Sequence, residues 1–138
     1  PVRYDYLDLG MSARQRITGG LWFGLNFLRT DRRDRHVGYN DYIRNSFGAE
    51  VHLDIGWRFD LEAQAVYEMY DYANAFAFHN STAGRKTMER SIGSVAATLH
   101  LSDHFSLVGA FIYNDVTSND ARLAYNRSQY ELSLRWER

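Results

Sequence analysis

The chain has 138 residues, a formal net charge of −1 from 16 Lys+Arg against 17 Asp+Glu, and no cysteine. That balance carries no polyanion-binding signal, so nucleic acid is not an expected partner, and the missing cysteines exclude disulfide frameworks and thiolate metal sites. No apolar run approaches the roughly 18–20 residues of a membrane helix, whereas 15 % aromatics and a single proline, at position 1, favour uninterrupted strands.

Seven segments alternate apolar and polar residues with period two. The first, Tyr6 to Ile17, sets Leu7, Leu9, Met11 and Ala13 against Asp8, Ser12, Arg14 and Arg16, and Thr18-Gly-Gly20 turns it. The second, Leu21 to Thr30, carries Leu21, Phe23, Leu25 and Phe27 on one face, and a polar stretch from Asp31 to Asp41 reads as a long loop. The third, Tyr42 to Ile55, opposes Phe47, Ala49, Val51 and Leu53 to Ser46, Glu50, His52 and Asp54, with a turn at Gly56-Trp-Arg58. The fourth, Phe59 to Tyr72, opposes Phe59, Leu61, Ala63, Ala65, Tyr67 and Met69 to Asp60, Glu62, Gln64 and Glu68, before a long loop over Ala73–Thr87. The fifth runs from about Met88 to Leu101 and the sixth from Phe105 to Val116, joined by Ser102-Asp-His104. After a loop over Thr117–Leu123, the closing strand puts Tyr130, Leu132, Leu134 and Trp136 on one face, with Glu131, Ser133 and Arg135 on the other.

Connections thus alternate short and long, as in transmembrane barrels with tight periplasmic turns and longer external loops. Aromatics cluster near both ends of the apolar faces: Phe23, Phe27, Phe59, Tyr67, Phe105, Tyr113 and Trp136 are expected to form girdles at the two lipid interfaces. From Phe59 to Met69 is about ten steps of ~3.4 Å, which tilted by ~40–45° spans ~25 Å of membrane. The expected fold is an all-β antiparallel transmembrane barrel, one domain over 1–138, in a bacterial outer membrane. A soluble barrel or sandwich with the apolar face turned inward is the competing reading.

With short turns periplasmic, the last strand ends in the periplasm and the first visible strand also descends. An even-stranded barrel then requires at least one further strand, from missing N-terminal sequence or a partner chain, and the chain is expected to be the C-terminal portion of its barrel. The run Leu101-Ser-Asp-His-Phe-Ser-Leu107, then Ser118-Asn-Asp120 and Tyr125-Asn-Arg127 leading into Tyr130-Glu-Leu-Ser-Leu-Arg-Trp136, resembles the last hairpin of Gram-negative outer-membrane barrel families. These include the beta-barrel porins and the barrel ends of tetratricopeptide-linked surface or polymer exporters. Glu137-Arg138 departs from their habit of ending on the aromatic. The resemblance covers about forty residues and implies a barrel, not a substrate.

Around the Gly56-Trp-Arg58 turn, antiparallel pairing should bring Asp54 beside Asp60 and His52 beside Glu62. With Glu50 and Glu68 these form a candidate charged lumen or constriction, compensated by Arg14, Arg16 or Arg135 across the interior. The plainer reading is an interior salt-bridge network filling a narrow barrel. Arg29, Arg32, Arg33 and Arg35 suit lipopolysaccharide phosphates from an external loop, or merely solvate it. Of the histidines 36, 52, 79, 100 and 104, His52 near Asp54 and Glu62 is the best candidate metal or proton site, with a hydrogen-bonded lumen histidine as the plainer reading. His100 and His104 flank a turn with no obvious third ligand, and His79-Asn-Ser81 lacks a scaffold to orient acyl-transfer chemistry. No cofactor, metal or enzymatic activity is expected. The expected function is a pore or export channel for a polar solute or polymer; the alternative is a small plugged eight-stranded barrel acting as membrane anchor or adhesion protein.

Overall fold

The computed structural model describes residues 3–35 and 38–136. Seven strands form one all-β antiparallel sheet in chain order: β1 (Tyr4–Arg16), β2 (Leu21–Asp34), β3 (Tyr42–Ile55), β4 (Phe59–Phe76), β5 (Arg85–His100), β6 (Phe105–Ser118) and β7 (Tyr125–Trp136). Each strand pairs with its sequence neighbours and the sheet is not closed, so β1 and β7 are edges. Strands of odd number run the same way. Direct pairing of β1 with β7 would therefore be parallel, and an antiparallel seam requires an odd number of additional strands.

The turns at one end are tight. Ile17 and Thr18 both donate backbone N–H bonds to Leu21 O, and Leu101 and Ser102 repeat this arrangement on Phe105 O. Gly20 approaches the Asp54 carbonyl so closely that a Cβ there would collide with it, which lets Asp54 N–H donate to Gly20 O at 2.7 Å.

At the other end the strands run further than their apolar alternation. Asp31–Asp34 is not loop but the end of β2, paired with Tyr4–Leu7 of β1. Likewise β4 continues to Phe76 and β5 begins at Arg85, so the loop expected over Ala73–Thr87 shrinks to 77–84. Ladder bonds satisfy the backbone irrespective of which side chains it carries, so charged sequence extends a strand when a partner is already in place. The three long connections pack on one another. Asn74 Nδ2 donates to Gly38 O at 2.8 Å, Tyr39 Oη lies 2.5 Å from His79 Nδ1, and Phe78 N–H donates to Asp120 Oδ2 at 3.0 Å. These contacts hold Phe78 and His79 in left-handed backbone conformation (φ 53° and 54°), which costs non-glycine residues energy.

Burial is inverted relative to a soluble protein. The register places Met11, Leu25, Ala49, Ala65, Val95 and Phe111 on one continuous face, with Phe27, Phe47 and Tyr67 beside them. That face is open: Leu9 is 69 % exposed and Phe47 47 %. The opposite face holds Thr30 at 2 % and Glu68 at 7 %, with Ser46 and Ser106 also buried. Among the described residues the buried apolar core is only Ala75, Ala77 and Val116.

Candidate functional site on the polar face

The register brings His52 opposite Glu62 and Asp54 opposite Asp60, as the turn spacing requires. His52 Nδ1 lies 3.2 Å from Glu62 Oε1, and its ring stacks on Trp22 with centroids 5.3 Å apart. Arg14 covers the other side of Trp22, 4.1 Å from the ring centroid, and reaches over β2 to Glu50 at 3.0 Å. Glycine permits that crossing: a Cβ on Gly24 would stand 2.5 Å from Glu50 Oε1. Trp22, Glu50, His52, Glu62, Gln64, Ser94 and Ala96 line a pocket of about 180 Å³.

Arg16 and Arg135 do not compensate these acids. Arg16 turns back to the Thr18 and Gly19 carbonyls of its own turn. Arg135 sits on edge strand β7, opposite Ser106, with no ion pair among the described residues. Asp54 is exposed, and Asp60 pairs with His100 on the neighbouring strand instead.

Glu68 gathers a cluster that the alternation pattern alone does not assemble. Arg44 Nη1 stands 3.4 Å from Glu68 Oε1, Arg90 Nη1 is 3.7 Å from Oε2, and Tyr70 Oη donates to Oε2 at 2.9 Å. Arg44 also donates to Thr30 Oγ1 at 3.0 Å, tying β2, β3, β4 and β5 together. Glu50, Asp54, Asp60 and Glu62 lie towards the short turns together with Arg14, Arg16 and Arg135, while Arg32, Arg44, Lys86 and Arg90 lie with Glu68 towards the long loops.

The arginines considered for lipopolysaccharide are engaged within the chain. Arg29 donates to Asn45 Oδ1 at 3.3 Å, and Arg32 donates to Asn40 O at 2.7 Å between the Tyr4 and Tyr42 rings. Arg33 pairs with Asp31 at 2.7 Å and Arg35 with Asp5 at 2.5 Å. The aromatics expected as girdles all lie on the apolar face, with Phe27 and Phe47 in ring contact at 5.0 Å. His36 lies outside the described residues, and no metal-binding group of His, Asp and Glu occurs among those described.

In the loop cluster Asp120 is buried, and the Arg122 guanidinium donates to it at 2.8 and 2.5 Å. That pairing, with backbone bonds from Phe78 and Arg122, holds its carboxyl well below the usual carboxylate range. A carboxyl depressed on folding stabilises the fold fully above its unfolded value of about 3.9, and the contribution fades as pH falls towards the folded value. The Asp120 carboxyl carbon resonance should accordingly stay unchanged from pH 7 down to about 4 and shift only below. A midpoint at or above that unfolded value would contradict the assignment.

The fold defines an all-β protein built as an antiparallel up-and-down sheet with two open edges. No protein-family profile, curated protein or solved structure matches the chain.

Proposed function

We propose that this chain forms part of an outer-membrane β-barrel whose polar face lines a pore or export channel for a polar solute or polymer. The observation that carries the reading is the inverted burial. Each large apolar side chain left in water forgoes roughly 1.5–3 kcal/mol of transfer free energy, and here a whole sheet face does so across seven strands. Lipid supplies the missing apolar contact without a second protein layer, and tight turns at one end with long packed loops at the other fit the outer-membrane arrangement. In that orientation the end of β7 is periplasmic and the loop cluster external, where its arginines would meet lipopolysaccharide.

Closure needs further strands, because unpaired edge groups in hydrocarbon cost several kcal/mol each. A second copy of this chain around a common membrane-normal axis would offer only parallel seams. Strands from additional sequence, odd in number, complete an even antiparallel barrel.

The polar face of β5 and β6 supports an open lumen, since Ser94, Ala96, Thr98, Val108 and Ala110 are small and leave the groove in front of Glu50 and Glu62 unfilled. A plugged eight-stranded barrel is the second reading, favoured by the ion pairs that link β1 to β3 and β3 to β5 across that face. Planar-bilayer recording of the complete barrel separates the two. Steady, cation-preferring currents that lose their preference in Glu50→Gln/Glu62→Gln support the pore; silence at high protein concentration overturns it.

A further inference from the structure

Near the short turns, three side chains from three strands form one hydrogen-bonded line that neither pore nor plug requires. His100, at the end of β5, places Nε2 2.8 Å from Asp60 Oδ2 on β4 and Nδ1 2.9 Å from Ser106 Oγ on β6. The order of donors follows from chemistry. An ionised carboxylate only accepts, so Nε2 carries the hydrogen; when the ring is neutral Nδ1 is an acceptor, to which the Ser106 hydroxyl donates. A serine donating to an imidazole that is itself oriented by a carboxylate has the arrangement that activates serine as a nucleophile. Arg135 lies opposite Ser106 in the ladder of β6 and β7 and makes no ion pair among the described residues.

We propose that Ser106, His100 and Asp60 form an activated-serine site for short carboxylic esters on the polar face of the sheet. Ser106 Oγ bonds to the ester carbonyl carbon as its proton passes to His100 Nδ1, which leaves an oxyanion on the former carbonyl oxygen. The carbon–alkoxide bond then breaks and the alcohol leaves with the proton from His100. Water attacks the acyl-serine, gives one proton to His100, and the carboxylic acid departs as Ser106 regains that proton. Asp60 is a positioning residue that holds the imidazole tautomer throughout. The site differs from a structural histidine network in one respect: its serine reacts.

The test uses the complete barrel in detergent micelles with a fluorophosphonate probe and with p-nitrophenyl butyrate. One label per chain, mapped to Ser106 by peptide mass, is expected. Labelling should fall about 100-fold or more in His100→Ala, the scale of a lost general base, while Asp60→Asn lowers kcat with KM unchanged. No labelling of a chain with β-sheet circular dichroism, labelling of another serine, or a kcat unaffected by Asp60→Asn overturns the proposal. The labelled residue is read in the unmutated chain, so the result does not depend on a variant folding.

Discussion

Val95→Arg is expected to cost about 2–4 kcal/mol of folding stability in lipid vesicles, the penalty for arginine on the lipid face near the bilayer midplane. Val95 lies mid-strand on the apolar face, between Ala63 and Phe111, and is 44 % exposed. An arginine at so open a position in water would change stability by no more than about 0.5 kcal/mol. The size of the effect therefore reports what covers the face. Ala96→Arg is the matched control: one residue on, it enters the polar face opposite Glu62 and Ala110 and acquires a carboxylate partner. Urea titration of vesicle-inserted protein should separate the two variants by at least the lower bound of the Val95 effect. Equal, near-zero effects would mean that the apolar face meets water.

Glu68→Ala carries the second large effect, about 1–3 kcal/mol, because it leaves the half-buried Arg44 and Arg90 guanidinium groups without their shared carboxylate. The loss comes from the charges left behind rather than from the carboxylate itself. Adding Arg44→Met and Arg90→Met to Glu68→Ala should accordingly recover most of it, which a cycle of denaturant midpoints can read. Additive losses in the combined variant would contradict a coupled cluster. Tyr70, which also donates to Glu68, would keep the strand in place through its ladder pairing with Arg44 and Met88.

Most of the fold is legible in the sequence because sustained period-two alternation is a pattern that strands produce and helices do not, and because short and long connections follow each other in a fixed order. The strand ends at the long loops are not legible. Asp31–Asp34 lacks apolar alternation and is strand because Tyr4–Leu7 is there to pair with, reinforced by Arg35 on Asp5. The end of β4 follows a register irregularity after Asp71 and pairs again only at Phe76, opposite Arg85. Such tertiary support leaves no local signal.

The site is legible in half. His52 with Glu62 follows from turn spacing alone, whereas Arg14, expected only as one of three arginines across the interior, reaches Glu50 over the adjacent strand instead. Alternation puts Glu68 on the correct face, but its partners do not come from across the interior. Arg44 sits diagonally from it on the adjacent strand, two residues from the directly opposed Ser46. The company of His100 is hidden for the same reason. Ser106 opposes it directly across a turn, while Asp60 opposes Thr98, two residues before His100 on β5. Each cluster joins a direct partner, Arg90 opposite Glu68 and Ser106 opposite His100, to a diagonal one, Arg44 and Asp60. The diagonal ones, within reach of long side chains, become visible only once the register is fixed.

The central claim, that lipid covers the apolar face, is tested most directly on β4. The chain has no native cysteine, so single-cysteine spin labels can be placed at each position from 61 to 68 without background. In bilayers, labels at 61, 63, 65 and 67 should collide preferentially with oxygen, and labels at 62, 64, 66 and 68 with a water-soluble nickel chelate. That two-residue alternation is the predicted result. Oxygen and nickel accessibility that rise and fall together along the strand, or an alternation of opposite phase, would contradict it.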